Sequence, residues 1–233
     1  MKTKKLLIAL MLITLIPLTS LFAQRTAGSY AIGGFVGTGM PMSPDFFKDY
    51  WKMGGIGFGG EFIYNFSERI SLGVRYHRLP FPMDTDEIED MLRDEIGQDP
   101  TIPQNYTLEL EGMTINNSII TANILAYLTP PDAAAGFYIT GGGSYYMLDI
   151  TDLEVTIEVQ GQSMTQTMEM DEDIDDKFGI NAGAGLEFNA GGSLNIFAEG
   201  RYHYRFGEEE GPVEGESGAI TFLSIVAGVR FNM

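Results

Sequence analysis

The chain has no cysteine, one tryptophan and two histidines, and its 14 lysines and arginines face 32 aspartates and glutamates. Lack of cysteine excludes both a lipid-anchored N-terminal cysteine and a disulfide-stapled domain. The shortage of cations excludes a nucleic-acid partner and a plain electrostatic dock onto anionic lipid. Beyond the first residues there is also no run approaching the roughly 18 apolar residues of a membrane-crossing helix. If this chain enters a bilayer, it enters as strands.

The start of the chain reads as an export signal. Met1-Lys2-Thr3-Lys4-Lys5 is basic, Leu6 to Ile16 is apolar apart from Thr14, and small residues follow at Thr19, Ser20 and Ala23. We expect a signal peptide over 1–23, with cleavage between Ala23 and Gln24, and one barrel domain over 24–233. Loss of Lys2, Lys4 and Lys5 takes the formal net charge from −18 to −18 − 3 = −21. A retained anchor helix is disfavoured because the apolar run is too short to span.

The body of the chain alternates with period two. In "FGINAGAGLEFNA", residues 178–190, Phe178, Ile180, Ala182, Ala184, Leu186 and Phe188 share one side, while Gly179, Asn181, Gly183, Gly185 and Glu187 share the other. Such alternation is a β-strand, and an aromatic-ended apolar side opposite glycine and charge suggests that the polar side is the inside. Residues 54–66, 70–78 and 194–206 repeat the pattern, with Ile63 and Phe197 as apolar exceptions on the polar side. Residues 28–38, 115–128 and 137–149 are less tidy, and 219–233 alternates to its end. These are eight candidate strands, with aromatics towards the ends of the apolar faces as an interfacial girdle requires.

Connection lengths alternate too. The links at 67–69, 129–135 and 190–193 are short, and those at 40–52, 80–112, 150–176 and 207–218 are long. That rhythm predicts an all-β fold: an eight-stranded antiparallel up-and-down transmembrane β-barrel with short periplasmic turns and long external loops.

The signal ending "LFAQ", the strand–turn–strand "GGEFIYNFSERISLGVRYH" and the C-terminal "VAGVRFNM" resemble the small eight-stranded outer-membrane barrels of the OmpA/OmpX/OmpW-like group, over essentially all of the mature chain. The resemblance implies a bacterial outer-membrane location and contact with its lipid and lipopolysaccharide. It also implies recognition by the barrel-assembly machinery through a terminal signal at Val229, Phe231 and Met233. Met233 stands where the group usually ends in phenylalanine, and we do not expect the wall-tethering role of the group's two-domain members.

An eight-stranded interior is about wide enough for side chains to fill it. Glu61, Arg75, Glu187, Glu199, Arg201 and Arg205 are therefore expected to form an ionic network in the lumen, since ions there must be paired or hydrated. The network plugs the bore and fixes register; a gate or narrow ion path is the alternative. His77 and His203 fall on the same inward faces and are counted with this lumen network. Glu199 is the only suitably spaced acid on the His203 strand, so neither a catalytic set nor a closed zinc site results. We expect no enzyme and no cofactor or metal, and Gly183-x-Gly185 lacks the third glycine and helix of a dinucleotide site.

Most acidic charge lies in the long loops, at 84–99, 170–176 and 207–217. It serves solubility, or weak cation bridging to lipopolysaccharide phosphates. Asp171-x-Asp173-x-Asp175 opens like a calcium loop, but Asp176 replaces the required glycine and Ala182 the bidentate glutamate. Residues 85–96 predict a short amphipathic helix. In 150–176, Leu153, Val155, Ile157 and Val159 alternate with polar residues, Gly161 allows a turn, and alternation resumes on return. This predicts a hairpin extending the fifth and sixth strands, where a host or surface protein can pair. The expected function is structural or surface-interacting. The alternative is an OmpW-like transport barrel with an apolar pocket at the outer mouth, and a soluble lipocalin-like barrel would need polar outer faces.

Overall fold

The computed structural model describes residues 25–53, 55–90, 106–131, 133–159, 162–168, 176–207 and 218–233; the expected signal peptide lies outside them. The elements are β1 (Tyr30–Ser43), helix α1 (Asp45–Tyr50), β2 (Gly57–Asn65), β3 (Ile70–Pro82), β4 (Tyr106–Gly112), β5 (Thr114–Tyr127), β6 (Ala135–Ile150), β7 (Leu153–Val159), β8 (Gln162–Met168), β9 (Lys177–Gly191), β10 (Leu194–Arg205) and β11 (Ile220–Asn232). Eight of the strands close into one barrel in the order β1-β11-β10-β9-β6-β5-β3-β2. Closure joins the first strand to the last, antiparallel, with Gly33 opposite Arg230 and Val36 opposite Ala227. A closed sheet leaves no unpaired edge to face lipid.

All eight segments predicted from alternation are barrel strands, although β1 and β3 run on towards the long-loop end as far as Ser43 and Pro82. Their outer faces carry Ile32, Phe62, Val74, Ile124, Ile180 and Ile225, each with about half of its surface uncovered. A soluble barrel would not expose such a belt, so the lipocalin-like alternative fails. Among the described residues no helix is long and apolar enough to cross a membrane. The strands make the crossing.

Beyond the long-loop end, β4, β7 and β8 form a separate three-stranded sheet with β7 in the middle. The sheet adds a strand that was not predicted from the sequence. The 80–112 connection, expected to hold a helix, also supplies β4, whose Leu108 and Leu110 alternate with Thr107, Glu109 and Glu111. The predicted 150–176 hairpin exists as β7–β8, with β7 following β6 after residues 151–152. On its other side β7 pairs with β4, which precedes β5 across Gly112 and Met113. Gly112 has φ +102°, a left-handed conformation that swings the chain from one sheet to the other. A helix does begin at residue 85 and continues through 90; its expected remainder to 96, and the acidic runs 170–175 and 208–217, lie outside the described residues.

The long-loop mouth is filled by an apolar cluster. Helix α1 lays Phe47 against Trp51 and Phe81, and Leu79, Met83, Ile115, Ile119, Tyr146 and Phe222 complete the packing. Lys52 fastens this first loop to the second through Asp84 at 2.9 Å and Asp86 at 3.0 Å. Hydrogen bonding to Asp84 raises the Lys52 pKa, and the same contact lowers that of Asp84. The latch is therefore intact at neutral pH. It is lost when pH falls through the lowered Asp84 value or rises through the raised Lys52 value.

Trp51, the single tryptophan, reports on the plug. Phe47→Ala removes the ring between Trp51 and Phe81, so the emission of the folded protein is expected to move to the red and become accessible to acrylamide. Lys52→Ala, which removes only an exposed ion pair, leaves the spectrum nearly unchanged.

Candidate functional site

Inside the barrel, inward glycines let side chains from flanking strands meet. Gly33 lies between Glu61 and Arg230 in register, Gly185 between Tyr138 and Glu199, and Gly183 between Thr140 and Arg201. In each case the two flanking side chains are joined by a hydrogen bond. A Cβ on Gly33 would stand 3.0 Å from Glu61 Oε1. The pattern explains why glycine and charge share the inner faces.

At mid-height the network is continuous. Arg75 donates from Nη2 to Glu61 Oε2 at 2.7 Å and from Nη1 to Glu199 Oε1 at 2.6 Å. Arg201 donates from Nε to Glu199 Oε1 at 3.0 Å and from Nη1 to Asn181 Oδ1 at 3.0 Å. Arg230 donates from Nε to Glu61 Oε1 at 2.6 Å, to Glu187 through Nη1, and to Tyr138 Oη at 3.2 Å. Asn195 donates to Glu187 Oε1 at 2.6 Å, and Tyr138 donates to Glu199 Oε2 at 3.0 Å. Three carboxylates thus alternate with three guanidinium groups, all buried. Glu61, Arg75, Glu199 and Arg230 each meet opposite charge from two strands, and Arg201 and Glu187 each meet at least one ion of opposite charge, which is the condition under which buried ions are tolerated.

The short-turn end is closed by Arg25, whose guanidinium lies 3.5 Å from the centre of the Tyr127 ring, above a cluster of Ala31, Ile63, Leu125, Tyr127 and Tyr138. Arg25 Nη1 is 3.9 Å from Glu187 Oε1, so the plug is continuous with the network. The bore is therefore occupied at three levels: aromatic and cationic at the turn end, ionic in the middle, apolar at the loop end.

Of the residues singled out from sequence, Glu61, Arg75, Glu187, Glu199 and Arg201 belong to this connected network. His203 does not. Its Nε2 is hydrogen-bonded to Ser224 Oγ at 3.0 Å and its Nδ1 to Tyr146 Oη at 3.1 Å, while its ring stacks on Phe222 at 4.5 Å. His77 packs edge-on against Phe35, with ring centres 5.1 Å apart across Gly59, and among the described residues no carboxylate is hydrogen-bonded to it. Arg205 is buried at the loop end, outside the mid-height cluster. Neither histidine is joined to a nucleophile and an acid as a catalytic set requires. Among the described residues no group of three or more His, Asp or Glu side chains is placed to hold a metal ion.

Arg230 and Arg25 were missed. Arg230 stands on the inward face of an alternating strand, which was a usable signal; Arg25 precedes the first strand and gave none. Val229 and Phe231 point outward on the strand that closes the barrel and Met233 follows it directly, each at least partly exposed.

Closure, strand number, an apolar exterior and a filled polar interior define a small eight-stranded transmembrane β-barrel of the outer-membrane type. No protein-family model matches the chain, and no curated protein does. Solved structures of similar fold include Ail, the attachment invasion locus protein of Yersinia pestis, which is 12% identical, with 89% of this chain and 100% of that chain covered and a TM-score of 0.46. Neisserial surface protein A is 12% identical, with 87% and 96% covered and a TM-score of 0.48. The N-terminal β-barrel domain of Pseudomonas aeruginosa OprF is 14% identical, with 89% and 98% covered and a TM-score of 0.42.

Proposed function

We propose that this protein serves the bacterial outer membrane as a closed barrel whose work is structural and surface-interacting, done by the acidic structure beyond the long-loop end. The observation that carries this reading is the occupation of the bore at three levels, with the Arg230–Glu61 tie linking the closing strand β11 to β2. A transport barrel of the alternative kind asks for an open apolar pocket at the outer mouth, whereas Leu79, Phe81, Ile119 and Phe222 are fully buried there. The reading gives His77 and His203 no catalytic role and treats them as packing groups. It assigns lipid and lipopolysaccharide to the outer belt, and the barrel-assembly machinery to Val229, Phe231 and Met233. No nucleic-acid partner is assigned.

The test is conductance in planar bilayers, with heat-modifiable gel migration as the check on folding. Folded protein is expected to give no steady current. Reproducible channels that change with Arg75→Ala or Arg201→Ala would replace this reading with gated transport.

A further inference from the structure

We infer that the open edge of the external sheet receives an extended strand of a partner protein in which lysine or arginine alternates with apolar residues. The inference rests on the surface-interaction reading above and names the chemistry of the partner.

The two edges of the sheet are not alike. On the β4 side, the Leu110 N–H is already taken by the Glu89 carboxylate of the helix that begins at residue 85, at 2.8 Å. On the other side β8 pairs only with β7 among the described residues, and residues 163–168 are all exposed. Every second residue of an edge strand turns its N–H and C=O outward, ready to pair. Edges that must stay free are blunted by charge, proline or a bulge. The sequence of β8, "QSMTQTM", has no charge and no proline, and its pairing with β7 runs from Leu153–Met168 to Val159–Gln162 without a bulge.

The two faces then specify what fits. Register places Thr107, Glu158 and Ser163 side by side, then Glu109, Thr156 and Thr165, then Glu111, Glu154 and Thr167. That face is built from carboxylates and hydroxyls and contains no cation. Glu111 stands directly opposite Glu154, a like-charge pair that works against the sheet itself. A cation lying over the face relieves it. The opposite face leaves Met164 and Met168 at 66% and 44% exposure, although each is cross-strand from an apolar residue of β7.

An added strand continues both faces, because side chains alternate across a sheet. On one side its residues meet Ser163, Thr165 and Thr167. From there a lysine or arginine extends over β8 towards Glu154 and Glu158 on β7, two strand spacings or roughly 9.6 Å away, a gap that its long stem and the glutamate side chain bridge together. On the other side its apolar residues cover Met164 and Met168. Pairing with a second copy of this chain is disfavoured, since it would set two acidic faces side by side.

The probe is a short fluorescent peptide alternating lysine and valine, titrated against the full chain refolded in zwitterionic nanodiscs. The controls are a peptide of the same composition with its lysines grouped, and an alternating peptide N-methylated at every second residue. The alternating peptide is expected to bind and to protect β8 amides from hydrogen exchange. The grouped peptide is expected to bind roughly tenfold more weakly, and the N-methylated one not at all. Glu154→Gln with Glu158→Gln weakens binding roughly tenfold and removes most of its salt dependence. Thr165→Pro abolishes binding while the barrel remains heat-modifiable.

Equal binding of all three peptides would overturn the inference in favour of unspecific charge capture, and no binding would overturn it outright. A dimer that forms through β8 and excludes the peptide would also overturn it. The two readings fail separately: a conducting bore with intact peptide binding removes the closed-barrel reading, and a silent bore with no peptide binding removes this one.

Discussion

Replacing Arg230 with methionine is expected to lower the free energy of unfolding by about 3–5 kcal/mol, read as a drop in the urea midpoint of the lipid-refolded barrel. The side chain is 1% exposed and is the hinge of the network, joining Glu61, Glu187 and Tyr138 while its guanidinium lies 3.9 Å from the Phe197 ring centre. Methionine keeps much of the volume and the contact with Phe197, but it leaves Glu187 with only the long Arg25 contact and neutral donors. The cost is dominated by the carboxylates left without their cation, so a second change that removes charge should restore stability. Adding Glu187→Gln to Arg230→Met is expected to recover about 1–3 kcal/mol, a coupling that distant sites do not show. Arg69→Met, in the exposed β2–β3 turn, is the control and should cost less than about 0.5 kcal/mol. If Arg230→Met costs no more than that control, the bore is hydrated enough to screen its charges, and the conductance prediction falls with it.

The barrel was legible because its two physical requirements are local. Each strand must alternate to separate lipid from interior, and each turn must be short or long according to its side of the membrane. Glu61, Arg75, Glu187, Glu199 and Arg201 were legible for the same reason: they are charges on an otherwise glycine-rich or small-residue face. Which charge meets which was not legible, because it depends on pairings between strands far apart in the chain. Arg230 faces Glu61 only because β11 closes on β1 in a register that sets Gly33 between them. The histidines were counted with the network for the same reason of inward alternation. His77 and His203 do share the inward side, but the contacts of their rings among the described residues are with aromatic rings and hydroxyls rather than acids. The β4 strand shows a different limit. Its alternation was readable, yet short, and lay beside a more conspicuous helical pattern; its partner β7 is in another loop.

The glycines test the account of the interior most directly, because inward and outward positions make opposite predictions for one methyl group. At Gly185 a Cβ would lie within 2.8 Å of Tyr138 Cε1, and the ring cannot retreat without breaking its hydrogen bond to Glu199 and its contact with Arg230. Gly185→Ala is therefore expected to cost about 1–3 kcal/mol from overpacking, with a further loss of about 1 kcal/mol from the disturbed hydrogen bond. Gly200 is on the outward side of β10, next in sequence to Glu199, and a Cβ there meets nothing within 4 Å. Gly200→Ala should be neutral or stabilise by about 0.5 kcal/mol, since alanine narrows the unfolded ensemble and adds apolar surface towards lipid. Both variants are read by the same urea titration. Similar losses at the two positions would mean that glycine is needed for strand curvature throughout the barrel. A loss confined to Gly185 ties the residue to the space that Tyr138 and Glu199 require to meet.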